Sequence, residues 1–199
     1  MKIRLLAMFL LALGVLSAQE TPIKVETKDI PNRLAFYAVN ENEQDFDVQI
    51  KISGTNFRQS QGRPRWIRVP ATSKVHLKTI VLIRGKLPNY AVELLTNDSL
   101  SRRALKKEAQ PIKINPKKSI TIYIPESCSS CDSLINPLAD SHYKYIAHYL
   151  SETPEIKEQL KSYYPTTLDS MTTPIVNLGG RLYTQIDNYD RLLEELNKQ

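Results

Sequence analysis

Cysteine is nearly absent from this chain of 199 residues: there are two, Cys128 and Cys131, with only Ser129 and Ser130 between them. A bridge across so short a loop constrains the unfolded chain far less than a long-range one. The pair therefore reads as chemistry more than as a staple. Long apolar runs are just as scarce. The single one, Leu5 to Leu16, is too short to span a bilayer comfortably, and no second one follows, so no stable membrane insertion is expected. No cysteine stands near Ala18, which excludes a lipid anchor on a new N-terminal cysteine. Compact basic runs are missing too. The Lys and Arg residues are spread over strand-like segments, which predicts a solvated surface and no nucleic-acid partner. No internal repeat is apparent.

What is present begins with the first residues. Lys2 and Arg4 precede the apolar run, and the small residues Ser17 and Ala18 follow it. This layout predicts a signal peptide over residues 1–18 and an exported protein, periplasmic or extracellular. In such a compartment a pair of thiols tends to end as a disulfide.

Charge divides the rest. Gln19 to Lys117 holds 18 Lys/Arg against 10 Asp/Glu, a net +8; Lys118 to Gln199 holds 7 against 11, a net −4. The change of sign predicts a domain boundary near residue 117. Before it, residues 19–98 read as strands. Phe46, Val48, Ile50 and Ile52 alternate with polar residues, as do Val75, Leu77, Thr79, Val81 and Ile83, and the set Tyr90, Val92 and Leu94. Leu34, Phe36 and Ala38 alternate less cleanly. Short strands without a helical pattern predict an all-β sandwich loosely like immunoglobulin domains. No catalytic constellation is found there. Residues 99–117 read as a basic connector, with room for a last sandwich strand between Pro111 and Pro116.

From residue 118 the pattern changes. Ile120, Ile122 and Ile124 form a β-branched alternation ending at Pro125. Leu134, Ile135 and Leu138 then have helical spacing, with Pro137 expected to kink or shorten that helix. Tyr143 to Leu150 reads as a strand, and Thr153-Pro154-Glu155 as a helix start with Thr153 as its cap. Pro174 to Leu178 and Leu182 to Thr184 read as strands joined by Gly179-Gly180, and Asn188 to Leu196 as a last helix. The predicted order is β-α-β-α-β-β-α.

The pair Cys128 and Cys131 carries the candidate chemistry. A cysteine at a helix start feels the dipole and unpaired N–H groups that stabilise a thiolate. A second, three residues on, can resolve a mixed disulfide by attacking the first sulfur. Glu126 and Asp132 add negative charge that opposes thiolate formation, so a nucleophile of modest acidity is expected. A metal site is the sharper rival, since Cys128, Cys131, His142 and His148 are spaced roughly like a zinc set.

This order, with Cys-x-x-Cys just after the first strand, resembles glutaredoxin, in the thioredoxin superfamily, from Ser119 to the C-terminus. Ile122-Tyr123-Ile124 matches the family's first strand, and Gly179-Gly180 its hairpin glycines. The resemblance implies an α/β thioredoxin-like domain, Cys128 as attacking and Cys131 as resolving cysteine. It implies substrate contacts at Thr172, Thr173 and Pro174, with Pro174 cis and facing the disulfide, and at Tyr189 and Asp190, where the family grips glutathione. The sequence departs in having Ser129-Ser130 for Pro-Tyr, Pro125 for a lysine, and Asp187-Asn188 for two glycines. These departures predict poor use of glutathione, leaving no cofactor beyond the redox-active disulfide. The implied function is thiol–disulfide exchange on protein or small-thiol disulfide substrates, served by an electron donor or acceptor of unspecified identity. The readings from other classes are an extracytoplasmic binding or adhesion module with an inactive scaffold, and a metal carrier.

Overall fold

The computed structural model describes residues 22–60 and 62–198. The expected signal peptide, residues 1–18, lies outside the described residues.

The first half builds two sheets. Strands β1 (Lys24–Ile30), β2 (Arg33–Asn40), β6 (Ser73–Leu82) and β4 (Phe57–Arg58) lie side by side, and β9 (Ala109–Pro111) joins β6. Strands β7 (Asn89–Asn97), β3 (Phe46–Thr55), β5 (Ile67–Val69) and β8 (Leu105–Lys106) form the second sheet. The alternating residues Phe46, Val48, Ile50 and Ile52 of β3 meet Leu34, Phe36 and Ala38 of β2 and Val75, Leu77 and Ile80 of β6 in one buried cluster. The β1–β2 hairpin turns on Pro31-Asn32, and Asn32 takes φ 60°, a left-handed conformation that asparagine tolerates. Gly54 is required by a close approach. At φ 146° an added Cβ would stand 2.0 Å from the Asn89 carbonyl oxygen on β7.

Asp47 is the one fully buried charge among the described residues of this half. Its carboxylate accepts from Arg68 Nε at 2.5 Å and from the Ser101 amide at 2.5 Å. Asn40, also fully buried, ties Gln44, Val69 and Pro70 together through its side-chain amide.

The second half has a third sheet, in the order β11 (Tyr145–Tyr149), β10 (Ile120–Ile124), β12 (Ile175–Leu178), β13 (Arg181–Tyr183). Strand β11 is parallel to β10, and β12 is antiparallel to it. Helices α1 (Cys131–Asp140) and α3 (Tyr189–Asn197) share a core with Ile120, Ile122, Ile124, Val176 and Leu178. Helix α2 (Pro154–Lys161) contributes to a smaller cluster with Leu150, Leu168 and Ile175.

The expected fold class needs correction. The chain is mostly β, about 41% strand against 17% helix, with three sheets and three α-helices among the described residues. A thioredoxin-like α/β domain with several helices, and hence the all-β-plus-α/β class, is not what it shows. The physical reason is that the apolar helical stripes are short, as their spacing in the sequence implied, and strands occupy more of the chain. The three helices run only 10, 8 and 9 residues, and Ser162 to Pro174 holds one 3-10 turn, Leu168–Ser170, rather than further helix.

The basic segment 99–117 is woven into both halves. Strand β8 pairs with β5, β9 pairs with β6, and Ile114 forms a bridge with Tyr143 just before β11. Beside that bridge the Glu43 carboxylate accepts the Tyr143 hydroxyl, and the His142 ring nitrogen lies 3.4 Å from the same oxygen. The junction thus sits where β10 and β11 begin, and the cysteines follow where β10 ends.

Candidate functional site

Strand β10 ends at Ile124, the buried Pro125 follows, and a turn closed by the Cys128 amide on the Pro125 carbonyl (3.2 Å) delivers Cys128. Cys128 and Cys131 form a disulfide with Cα atoms 5.7 Å apart, inside the usual range for a bridge. The two sulfurs have different surroundings. Cys131 is 5% exposed and belongs to the core with Leu134, Leu138 and Leu192, whereas Cys128 is only partly buried against it.

The helix starts later than expected. Ser130 stands at its cap and Cys131 is its first residue, so Cys128 precedes the helix instead of opening it. The Thr172 carbonyl takes the amides of Ser129 (3.0 Å) and Ser130 (3.3 Å) and the Ser130 hydroxyl (3.2 Å), so the loop between the cysteines is tied to the loop before β12. Cys131 therefore sits in the positive end of the α1 dipole, and Cys128 lies two residues before the cap, outside it.

Thr172 is thus brought directly against the Cys-Ser-Ser-Cys loop. Thr173 turns away, its hydroxyl donating to the Thr184 carbonyl at 3.2 Å. Pro174 is buried, and no cis peptide bond occurs among the described residues, so the expected cis Pro174 is corrected to trans. Thr172, not Thr173, is the residue whose backbone meets the cysteine loop.

Tyr189 and Asp190 open α3, whose cap is Asn188, its side-chain oxygen accepting the Arg191 amide at 3.0 Å. Tyr189 packs against the same core as Cys128. The Ser133 hydroxyl links the two helix starts, lying 2.7 Å from the Ser130 carbonyl oxygen and 3.4 Å from that of Asp187. The Asp187 carboxylate is itself paired with Arg191 at 3.1 Å. Asp190 is exposed to solvent in the first turn of α3.

The charge beside Cys128 is more balanced than the sequence suggested. The Lys157 ammonium lies 3.0 Å from Glu126 and 3.0 Å from Asp169. Its hydrogen bonds to Asp169 and then Glu126 raise its pKa, and Lys157 in turn holds the Asp169 carboxyl below its ordinary value. Sequence reasoning missed this trio because its members are 31 and 12 residues apart. Only the position of Lys157 on the predicted second helix pointed toward it.

The two histidines of the metal reading take other partners. His148 on β11 stacks on Tyr123 with ring centroids 5.7 Å apart, and His142 tilts against Tyr143 beside Glu43. Among the described residues no group of three or more His, Cys, Asp or Glu is placed to hold a metal ion, and no helix is long and apolar enough to cross a membrane. Comparison of the chain with family models, curated proteins and solved structures found no match.

Proposed function

We propose that this protein is a thiol–disulfide oxidoreductase working through Cys128 and Cys131. The observation that carries the reading is the unequal burial of a disulfide closing so small a loop. One sulfur belongs to a partly open residue and the other to a residue in the core. In the oxidising direction a substrate thiolate attacks the Cys128 sulfur. The S–S bond breaks, Cys131 leaves as thiolate at the helix start, where the dipole favours negative charge, and it takes up a proton. A second substrate thiol then displaces Cys128 from the mixed disulfide. The substrate leaves with a disulfide, and two electrons and two protons remain on the cysteines. The reducing direction is the same sequence reversed, with Cys131 resolving.

Thr172 acts as a positioning residue, because its carbonyl fixes the loop between the cysteines. Glutathione is expected to be a poor partner. Thr172 is already engaged by the loop, and Asp187-Asn188 puts side chains where the resembling family has bare backbone. Export belongs to the same reading; N-terminal sequencing of protein recovered outside the cytoplasm is expected to start at Gln19.

The test is trapping. The Cys131→Ser variant should accumulate mixed disulfides through Cys128, and Cys128→Ser should not. The reverse pattern would exchange the two roles. A reduction potential below about −300 mV, with no trapping by either variant, would make the bridge structural and end the proposal.

A further inference from the structure

Strand β11 is the edge of the third sheet, and among the described residues nothing pairs with its outer side. Which backbone groups face outward follows from its ends. The Leu150 amide donates to the Ile124 carbonyl of β10 at 3.0 Å, and the register of Tyr145–Tyr149 on Ile120–Ile124 is unbroken. Successive residues of a strand point their backbone groups to opposite sides. Ile146 and His148 therefore bond toward β10, and Tyr145, Ala147 and Tyr149 present N–H and C=O groups outward. This edge carries no inward-pointing charge, proline or bulge, the usual devices that keep edges apart. Its side chains are unusually bare: Ile146 is 58% exposed and Tyr149 48%.

We propose that this edge pairs with the same edge of a second copy, β11 against β11 antiparallel about a two-fold axis at Ala147. The strand is self-complementary in that register. Ala147 meets Ala147, so the smallest side chain lies where the strands cross the axis. Ile146 comes opposite His148, and Tyr145 opposite Tyr149, giving apolar–aromatic and aromatic pairs on the two faces. Charge fits as well. Lys144 at one end approaches the turn after the other strand, which carries Glu152. Both are exposed, and neither makes an ion pair within its own chain among the described residues. Such a contact is isologous and closes on itself, so it stops at two copies. The third sheet becomes one eight-stranded sheet. The Tyr149 carbonyl already accepts the Glu152 and Thr153 amides, so the bonds nearest Ala147 carry most of the pairing.

The orientation of Ala147 makes a clean test. Its N–H faces away from β10, so Ala147→Pro removes no bond of the monomer's own sheet while blocking the outer edge. Sedimentation equilibrium of the wild-type chain should show mass rising to twice the monomer's with concentration. Ala147→Pro should stay monomeric, and so should Ile146→Lys, which keeps the test decisive if the proline variant fails to fold. Lys144→Glu should weaken the dimer, and the double variant with Glu152→Lys should restore it. A wild type that is monomeric throughout overturns the proposal. So does a dimer that survives both Ala147→Pro and Ile146→Lys, since its interface then lies elsewhere. A wild type that is monomeric alone but binds an unrelated extended peptide at this edge also overturns the second-copy assignment.

Discussion

The two halves of the molecule bury their apolar residues by different means. In the first, two sheets close over one cluster drawn from β2, β3, β5 and β6, and the fully buried charge of Asp47 is matched by Arg68 and the Ser101 amide. In the second, a single small sheet has apolar clusters on both faces, and helices supply much of the cover. The first half has no cysteine and a net +8, the second has both cysteines and a net −4. The contrast teaches where chemistry can be afforded. A sandwich whose strands alternate inward and outward has few loose backbone groups, whereas a strand that ends against a helix start leaves a loop beside a core whose N–H groups lie outside any ladder, taken here by the Pro125 and Thr172 carbonyls. The disulfide occupies that loop.

If the halves are separate cooperative units, damage to one core should spare the other. Phe36 is fully buried at the centre of the first cluster. Phe36→Ala should cost about 3–5 kcal/mol, transfer and cavity terms together. The single tryptophan, Trp66, precedes β5 and reports on this half. Its fluorescence transition in urea should move to lower denaturant while the reactivity of the reduced Cys128 thiol is unchanged. Loss of both together would show that the segment 99–117 makes one unit of the two halves.

Asp47→Ala sharpens the same comparison with polar rather than apolar damage. It leaves Arg68, mostly buried, without its partner, and removing one member of such a pair costs about 3–5 kcal/mol. Thermal unfolding followed at Trp66 should register it. Replacing Arg68 by Met as well should recover part of the loss, because the uncompensated charge is then gone.

Reduction of the disulfide tests the other half. The closed loop is only four residues, from Cys128 to Cys131, and the chain-entropy relation gives about 2 kcal/mol for a loop of that length. Hydrogen exchange of α1 and β10 should quicken on reduction, and that of β2, β3 and β6 should not. An equal effect on all five would place the bridge at the centre of the whole molecule's stability.

Much of the first half was legible because burial there follows a period of two. Phe46, Val48, Ile50 and Ile52 announce β3 and are all buried. Strand β1 had no such signal: Glu26 to Ile30 are exposed throughout, and pairing with β2 alone makes it a strand. Strands β5, β8 and β9 are too short for any period to show. In the second half the cysteines, the hairpin at Gly179-Gly180 and the short helices could be read from local pattern, but the fold class came from a resemblance, and the mostly β chain does not bear it out. Local rules also misled in detail. Thr153 has the cap composition, yet its hydroxyl donates back to the Tyr149 carbonyl at 2.8 Å and caps nothing. Cys128 was placed at the helix start because nothing in the sequence shows that the Thr172 carbonyl, 42 to 43 residues away, holds Ser129 and Ser130. The cis Pro174 came from a resemblance, and its chain path is trans here.

The smallest expected effect concerns the contact that joins the halves. The Glu43 carboxylate accepts the Tyr143 hydroxyl, and His142 and Lys117 add positive charge nearby; the Tyr143 bond first, and those cations after it, hold the Glu43 carboxyl below its ordinary value. Burial, then the same bond, pushes the Tyr143 phenol above its own. The signs then fix the pH window. A carboxyl lowered on folding contributes stability that is whole above its ordinary value and disappears as pH falls through the lowered one. A phenol raised on folding contributes stability that is whole below its ordinary value and is lost as pH rises through the raised one. The junction should therefore be firmest from just above the carboxylate range to below the phenol range. Glu43 is half exposed, so the contribution is about 1 kcal/mol at most. Tyr143→Phe keeps the packing at the Ile114 bridge and removes only the hydroxyl. It should lower stability by that amount at neutral pH and by almost nothing well below the carboxylate range. Unfolding curves of the two proteins measured from acid to alkaline pH should converge at the acid end. Curves that stay parallel throughout would mean that Glu43 does not feel the hydroxyl, and that backbone pairing at Ile114 and the Lys113 bond to the Ala139 carbonyl join the halves without it.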